Sequence, residues 1–172
     1  MSAPSPAIAN EFIRLAGREA RHLTHMQLQK LVYIAHGWNL AINGSPLTSD
    51  TPVALDYGPV YKDLLDALRN YGSSPVTREI CAGEFGAGVF LSGPDAQKVV
   101  AANLSRPERN VVDRVFRDYG NYHAFKLSAL THQPGTPWAQ VYREGAGKFQ
   151  LIDNERVREH FIDLARNPRP AA

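Results

Sequence analysis

The chain has 172 residues, 44% hydrophobic and 21% charged, with a net charge of +2 and a sequence pI near 8.8. That length suits one domain able to bury roughly two thirds of the surface its unfolded chain exposes. A single cysteine, Cys81, excludes an intramolecular disulfide and a Cys-rich zinc site, and it fits a reducing compartment. The opening MSAPSPAIANEF has neither a basic n-region nor a long apolar h-region, so no signal peptide is expected. No apolar run approaches the roughly 20 residues of a membrane helix, which predicts a soluble, cytoplasmic protein with no membrane partner. Basic residues alternate with acidic ones, as in RPERNVVDRVFRD, the pattern of solvated helix faces rather than of a nucleic-acid-binding stripe.

In chain order, residues 1–6 are expected to be a disordered N-terminus. Ile8, Phe12, Leu15 and Ala16 then recur at helical spacing and predict a first helix over about Pro6–Ala20. A second helix opens at Thr24 and Gln27, a capping-box pair, and closes at Gly44. Leu28, Leu31, Val32, Ala35, Trp38 and Ile42 form one apolar stripe along it. Gly37 interrupts that pattern and predicts close packing against another backbone. Pro46, Pro52 and Pro59 punctuate the next stretch, and Thr51–Asp56 is short enough for an edge strand or hairpin. Pro59 suits the first turn of a third helix that carries Val60, Tyr61, Leu64, Leu65 and Leu68 and ends at Gly72.

Residues 73–95 are rich in Gly, Ser and Pro, with two short strands expected near Thr77–Cys81 and Gly88–Leu91. Their glycines match no phosphate-binding pattern. Asp95–Asn103 is expected to form a short helix. Ser105, Pro107 and Glu108 start the next one, with Val111, Val112, Val115, Phe116 and Tyr119 on one face. Further helices are predicted over about Tyr122–Thr131, after Pro137, and after Asp153, the last carrying Val157, Phe161, Leu164 and Ala165. The sum is a mainly α (α+β) single domain over residues 7–166, with six to seven helices and a small strand or hairpin element after the second. Residues 167–172 are expected to be a flexible tail.

The six histidines form no HExxH motif or other metal-ligand spacing, so neither a metal nor a cofactor is expected. Ser128 and His132 lie four apart on one helix face, and a hydrolase could use such a pair; packing or capping is the competing reading. Trp38, Tyr57, Tyr61, Tyr71 and Trp138 are aromatics that either pack in the core or anchor a protein partner.

Three stretches together resemble one family. LQKLVYIAHGWNLAINGSPL resembles the opening helix signature of the Panacea domain, ALDYGPVYKDLLDALRNYG its central Tyr-Gly-Pro-Val block, and LSALTHQPGTPW its Leu-Thr-His…Pro-Trp block. The similarity runs from about Leu28 to Trp138. Leu55 stands where many members carry an aromatic, and the stretch Ala82–Gly93 is particular to this chain. The family includes SocA-type antitoxins and GepA-like phage-associated proteins. The resemblance therefore implies a non-enzymatic antitoxin of a bacterial or phage toxin–antitoxin system. It implies direct binding of a cognate toxin encoded nearby, and for SocA-like members delivery of that toxin to the ClpXP protease. Within the matching blocks, Gln29, Lys30, Tyr33, Tyr57, Tyr61, Thr131, His132 and Trp138 are the candidate partner-binding residues. The terminal Ala171-Ala172 resembles ends that ClpX recognises. A hydrolase built on His132 and a DNA-binding regulator are the rival readings.

Overall fold

The computed structural model describes residues 2–168, so the expected tail beyond Pro168, with Ala171 and Ala172, lies outside the described residues. Among the described residues, eight α-helices run α1 Ser5–Arg18, α2 His25–Asn43, α3 Lys62–Leu68, α4 Gly93–Ala96, α5 Arg106–Tyr119, α6 Ala124–His132, α7 Pro137–Tyr142 and α8 Asn154–Arg166. The strands are β1 Leu23–Thr24, β2 Val53–Leu55, β3 Gly58–Val60 and β4 Pro75–Val76. The fold is mainly α with small antiparallel strand pairs, as the hydrophobic periods predict.

The mast of the molecule is α2. Thr24 and Gln27 make the expected reciprocal capping box, and Gly44 closes the helix in the left-handed conformation at φ 71°. The single apolar stripe understates its burial, because every residue from Leu28 to Gly37 is buried. A helix hidden on all faces belongs at the centre, and α1, α3, α5, α6 and α8 surround it. Ile42, placed on the stripe by spacing, is 66% exposed and lies across a trough from the first turns of α5. At Gly37 the close neighbour is a side chain rather than a backbone. A Cβ there would stand 2.2 Å from the Phe161 ring of α8. Ile8, Phe12, Leu28, Leu31, Val32, Leu64, Val112, Leu127 and Val157 are fully buried and join the layers into one core.

Several boundaries differ from expectation, each for a physical reason. Residues 3–6 are ordered: Ser49 N–H donates to Ala3 O at 2.9 Å, and Asp50 accepts from Ser5 N–H at 2.6 Å at the positive end of α1. Pro59 sits in β3, opposite Ala54, and α3 begins only at Lys62. Ala54 turns its N–H outward to Gln150 O at 2.9 Å, so the donor that Pro59 lacks leaves no gap in the ladder. Phe149 N–H to Ala54 O and Ile152 N–H to Pro52 O then lay residues 149–152 along β2, where Val53 and Leu151 form an isolated bridge. The expected strands near 77–81 and 88–91 are replaced by an isolated bridge, Cys81 to Val99, and by 3-10 turns at Ala82–Glu84 and Gly86–Phe90. Gly88 presses against Ala82 O, an approach that any Cβ would block. The strand partner of Leu23 is Val76. The helix expected to Asn103 stops at Ala96, and Asn103 takes φ 49°.

In α5, Ser105 and Glu108 form a second capping box, and Val111, Val112, Val115 and Phe116 are buried. The sixth helix starts two residues later than expected, where the His123 ring accepts from Phe125 N–H at 3.3 Å. Thr136 caps α7 and Asp153 caps α8.

Candidate functional site

The three motif blocks converge on the β2–β3 hairpin. Its two-residue turn, Asp56-Tyr57, is closed by the Leu55–Gly58 pair, with Gly58 at φ 112°. On one side lies α2. Gln29, 3% exposed, uses its amide as a strand would: Oε1 accepts from Tyr61 N–H at 2.9 Å and Nε2 donates to Tyr61 O at 3.1 Å. Its second amide hydrogen faces His25 Nε2 at 3.3 Å, so that nitrogen accepts and the ring is neutral. Burial, with the nearby Lys30 charge, holds the His25 pKa down at about 4.

Lys30 follows on the next face. It is 2% exposed and donates Nζ to Pro59 O at 2.9 Å. Gly58 makes room for it, since a Cβ there would lie 3.1 Å from Nζ and 2.9 Å from Thr131 Oγ1. Desolvation brings the Lys30 pKa from the usual lysine range down to about 7. The sheet edge that β3 would leave open is thus sealed by two side chains of α2.

On the other side lie α6 and α7. Ser128 Oγ donates to Tyr57 O at 2.6 Å and lies 3.3 Å from His132 Nδ1. The hydroxyl has one proton and a carbonyl only accepts, so His132 Nδ1 carries the hydrogen and donates to Oγ. A general base needs the opposite polarity. Thr131 Oγ1 donates to Ser128 O at 2.9 Å. The Trp138 indole N–H donates to Leu55 O at 2.7 Å, and its ring stacks on Tyr142 at 4.4 Å and leans on His132 at 5.4 Å. Tyr142 Oη donates to Asp56 Oδ1 at 2.6 Å, with Lys148 on Oδ2 at 2.9 Å. The Tyr142 and Lys148 hydrogen bonds hold the exposed Asp56 carboxyl below its usual pKa.

Seven of the eight candidate residues therefore surround one hairpin. Tyr33 stands apart, in edge contact with the Phe161 ring at 6.2 Å. Gln29, Lys30, Tyr33, Tyr61 and Thr131 are buried and spend their polar atoms inside the fold, apart from the Tyr33 and Tyr61 hydroxyls, which have no hydrogen-bond partner. Burial raises both phenol pKa values. Further along α2, His36 is fully buried; it accepts from Thr48 N–H at Nδ1 and so donates from Nε2 to Asn154 Oδ1 at 2.8 Å. Desolvation lowers its pKa. Of the eight, Tyr57 is 64% exposed; His132 and Trp138 are half-buried.

Sequence reasoning missed the Asp56–Tyr142–Lys148 link and the exposed apolar side chains Phe125, Phe149, Leu151 and Phe90, from 64% to 89% exposed. No local pattern marks them, because an apolar residue reads as core until the packing of its face is known. No group of three or more metal-ligating side chains occurs among the described residues, and none of their helices is long and apolar enough to cross a membrane.

The family described as Antitoxin SocA-like, Panacea domain, matches residues 28–139, from the first buried turn of α2 into α7. The chain is similar to Antitoxin SocA of Caulobacter vibrioides, at 25% identity over 146 residues, which is 85% of this chain and 73% of that protein. No solved structure matches.

Proposed function

The chain belongs to the SocA-like, Panacea-domain antitoxin family, and on that premise we propose that it neutralises a partner toxin by binding it directly, without making or breaking a covalent bond. The observation that carries this is the family match across residues 28–139, which spans every block of the hairpin clamp. The site chemistry supports it. Ser128 gives its proton to a backbone carbonyl, His132 donates to Ser128, and Lys30 is sealed behind Gly58 and Pro59. Ser128, His132 and Lys30 are thus engaged in holding the hairpin. Exposed aromatics, which suit protein interfaces, remain on the surface. On this reading the protein acts in the cytoplasm on a toxin encoded beside it, and nucleic acid is not its ligand. Delivery of the bound toxin to ClpXP is the further step that the likeness to SocA-type antitoxins suggests.

Co-expression with the product of the neighbouring gene, in cells with and without ClpX, tests both levels. Growth rescue with a stable, co-purifying complex is the expected result for masking. Rescue in which the neighbour's product disappears only when ClpX is present establishes delivery. No rescue and no complex overturns the antitoxin reading.

A further inference from the structure

A cavity of about 390 Å³ opens between α2, α6 and α8, walled by Trp38, Tyr122, Leu130, Phe161 and Leu164, with the rim cation Lys126 over the Tyr122 ring at 3.7 Å. Beside it, between α2 and α5, runs a wider trough of about 850 Å³. Trp38 and Tyr119 line both, so the two form one groove with an aromatic ridge between its halves. The trough has a different character. The exposed Ile42 lies on one wall, and Arg106, Arg114 and Arg117 lie on the other. With Lys126 these are four cations against two lining carboxylates, Asp113 and Asp118, a local charge of +2. Asp118 is shared by Arg114 at 2.7 Å and Arg117 at 3.6 Å, which leaves positive charge in surplus.

The groove also selects the shape of what fills it. Among the described residues its walls come from α2, α5, α6, α8 and the start of α7, with no strand among them. The wall helices spend most of their backbone hydrogen bonds internally, so an extended segment would find few main-chain partners there. A helix brings its own backbone bonds and lays an apolar face into such a groove.

We propose that this groove is the toxin-docking surface, and that it takes an amphipathic, acidic helix of the toxin. One large apolar anchor enters the cavity among Tyr122, Leu130 and Leu164, against the edge-to-face pair of Trp38 and Phe161, a second rests on Ile42, and carboxylates flanking them meet Arg106, Arg114 and Arg117. This rests on the antitoxin reading and adds where the toxin binds and by what chemistry.

The test uses the full chain and the neighbouring gene's product, with affinity measured by calorimetry and rescue scored by growth. Three variants change groove residues that are exposed: Ile42→Glu and Arg117→Glu in the trough, and Ala165→Trp on α8 at the cavity. Each is expected to weaken binding at least tenfold and to lose rescue, while circular dichroism and Tm stay near wild type. Arg117→Lys is expected to keep most of the affinity, and added salt to weaken the wild-type complex more than the Arg117→Glu complex. Phe90→Ser, outside the groove lining, is expected to bind as wild type does, and Tyr57→Ala, at the hairpin tip, tests the competing surface. Wild-type affinity in all three groove variants overturns the docking surface, and lost binding in Tyr57→Ala alone moves the interface to the hairpin. A wild-type chain that neither binds nor rescues overturns the antitoxin reading itself, and the docking surface with it.

Discussion

Lys30 makes stability depend on pH in a window where few other groups titrate. Its ammonium is desolvated, and its pKa falls from 10.5 to about 7 on folding. Between those values the unfolded chain holds a proton that the folded chain has released. Stability therefore rises with pH, by about 1.4 kcal/mol per pH unit while the difference persists. The gain is complete near the unfolded value and is lost as pH falls through about 7. His25 and His36 have lowered values and both are neutral, folded and unfolded, well above 6.5. The Tyr33 and Tyr61 phenols act with the opposite sign, but only once unfolded tyrosine ionises near 10. Urea unfolding between pH about 7.5 and about 9 thus isolates Lys30, and stability is expected to climb by about 2 kcal/mol across that range. With a urea slope of about 2 kcal/mol/M, the midpoint rises by about 1 M. Lys30→Met, which keeps the length of the stem and discards the charge, is expected to remove the climb while folding normally, since replacing a buried ion by an apolar side chain is often neutral. A wild-type profile as flat as that of Lys30→Met refutes the reasoning, as does an Nζ titration measured by NMR near 10.

Gly58→Ala places a methyl 2.9 Å from Thr131 Oγ1 at φ 112°, and is expected to lower stability by about 3 kcal/mol; a wild-type urea midpoint would show that the hairpin is not clamped as described. Gly37→Ala drives a Cβ into the Phe161 ring, with an expected loss of about 3 kcal/mol, and Phe161→Leu in the same chain recovers part of it. An additive double-mutant cycle speaks against that contact. Trp138→Phe keeps a ring on Tyr142 but gives up the bond to Leu55 O, at a cost of about 1 kcal/mol, whereas Trp138→Ala also loses the stack and costs about 3 kcal/mol. Equal melting temperatures for the two variants would remove the stacking contribution.

Much of the candidate site was legible because its residues sit in short blocks with strong local signals. The Pro and Gly of residues 52–59 mark a turn, and the Pro-Gly-Thr-Pro corner marks the break between α6 and α7. What those side chains do was not legible. Spacing puts Ser128 and His132 on one face, but the direction of their proton follows from Tyr57 O, which arrives from a distant part of the chain. The reading of residues 77–103 as strands and a helix failed for a related reason. That stretch pairs with itself only at the isolated Cys81–Val99 bridge, and Asn10 ties it to the core: its side chain accepts from Ile80 N–H and donates to the carbonyls of Ile80 and Val100. Residues 3–6 look disordered by composition, yet Asp50 and the Leu47–Ser49 backbone tie them down.

By itself, the sequence determined this protein's local punctuation and its class. The capping boxes at Thr24–Gln27 and Ser105–Glu108, the Gly44 stop and the hairpin position all depend on groups no more than a few residues apart, so neighbours in the chain are enough to specify them. The apolar periods add up to a mainly α domain. Only the tertiary structure decided which faces vanish. It surrounded α2 on every side, turned a lysine into a buried amine beside Pro59, set Gly37 against Phe161, and left a cationic, aromatic groove open where α2, α5, α6 and α8 meet. Periodicity places a residue on a helix face; what that face meets depends on segments brought together from far along the chain, and burial and charge state follow from that meeting.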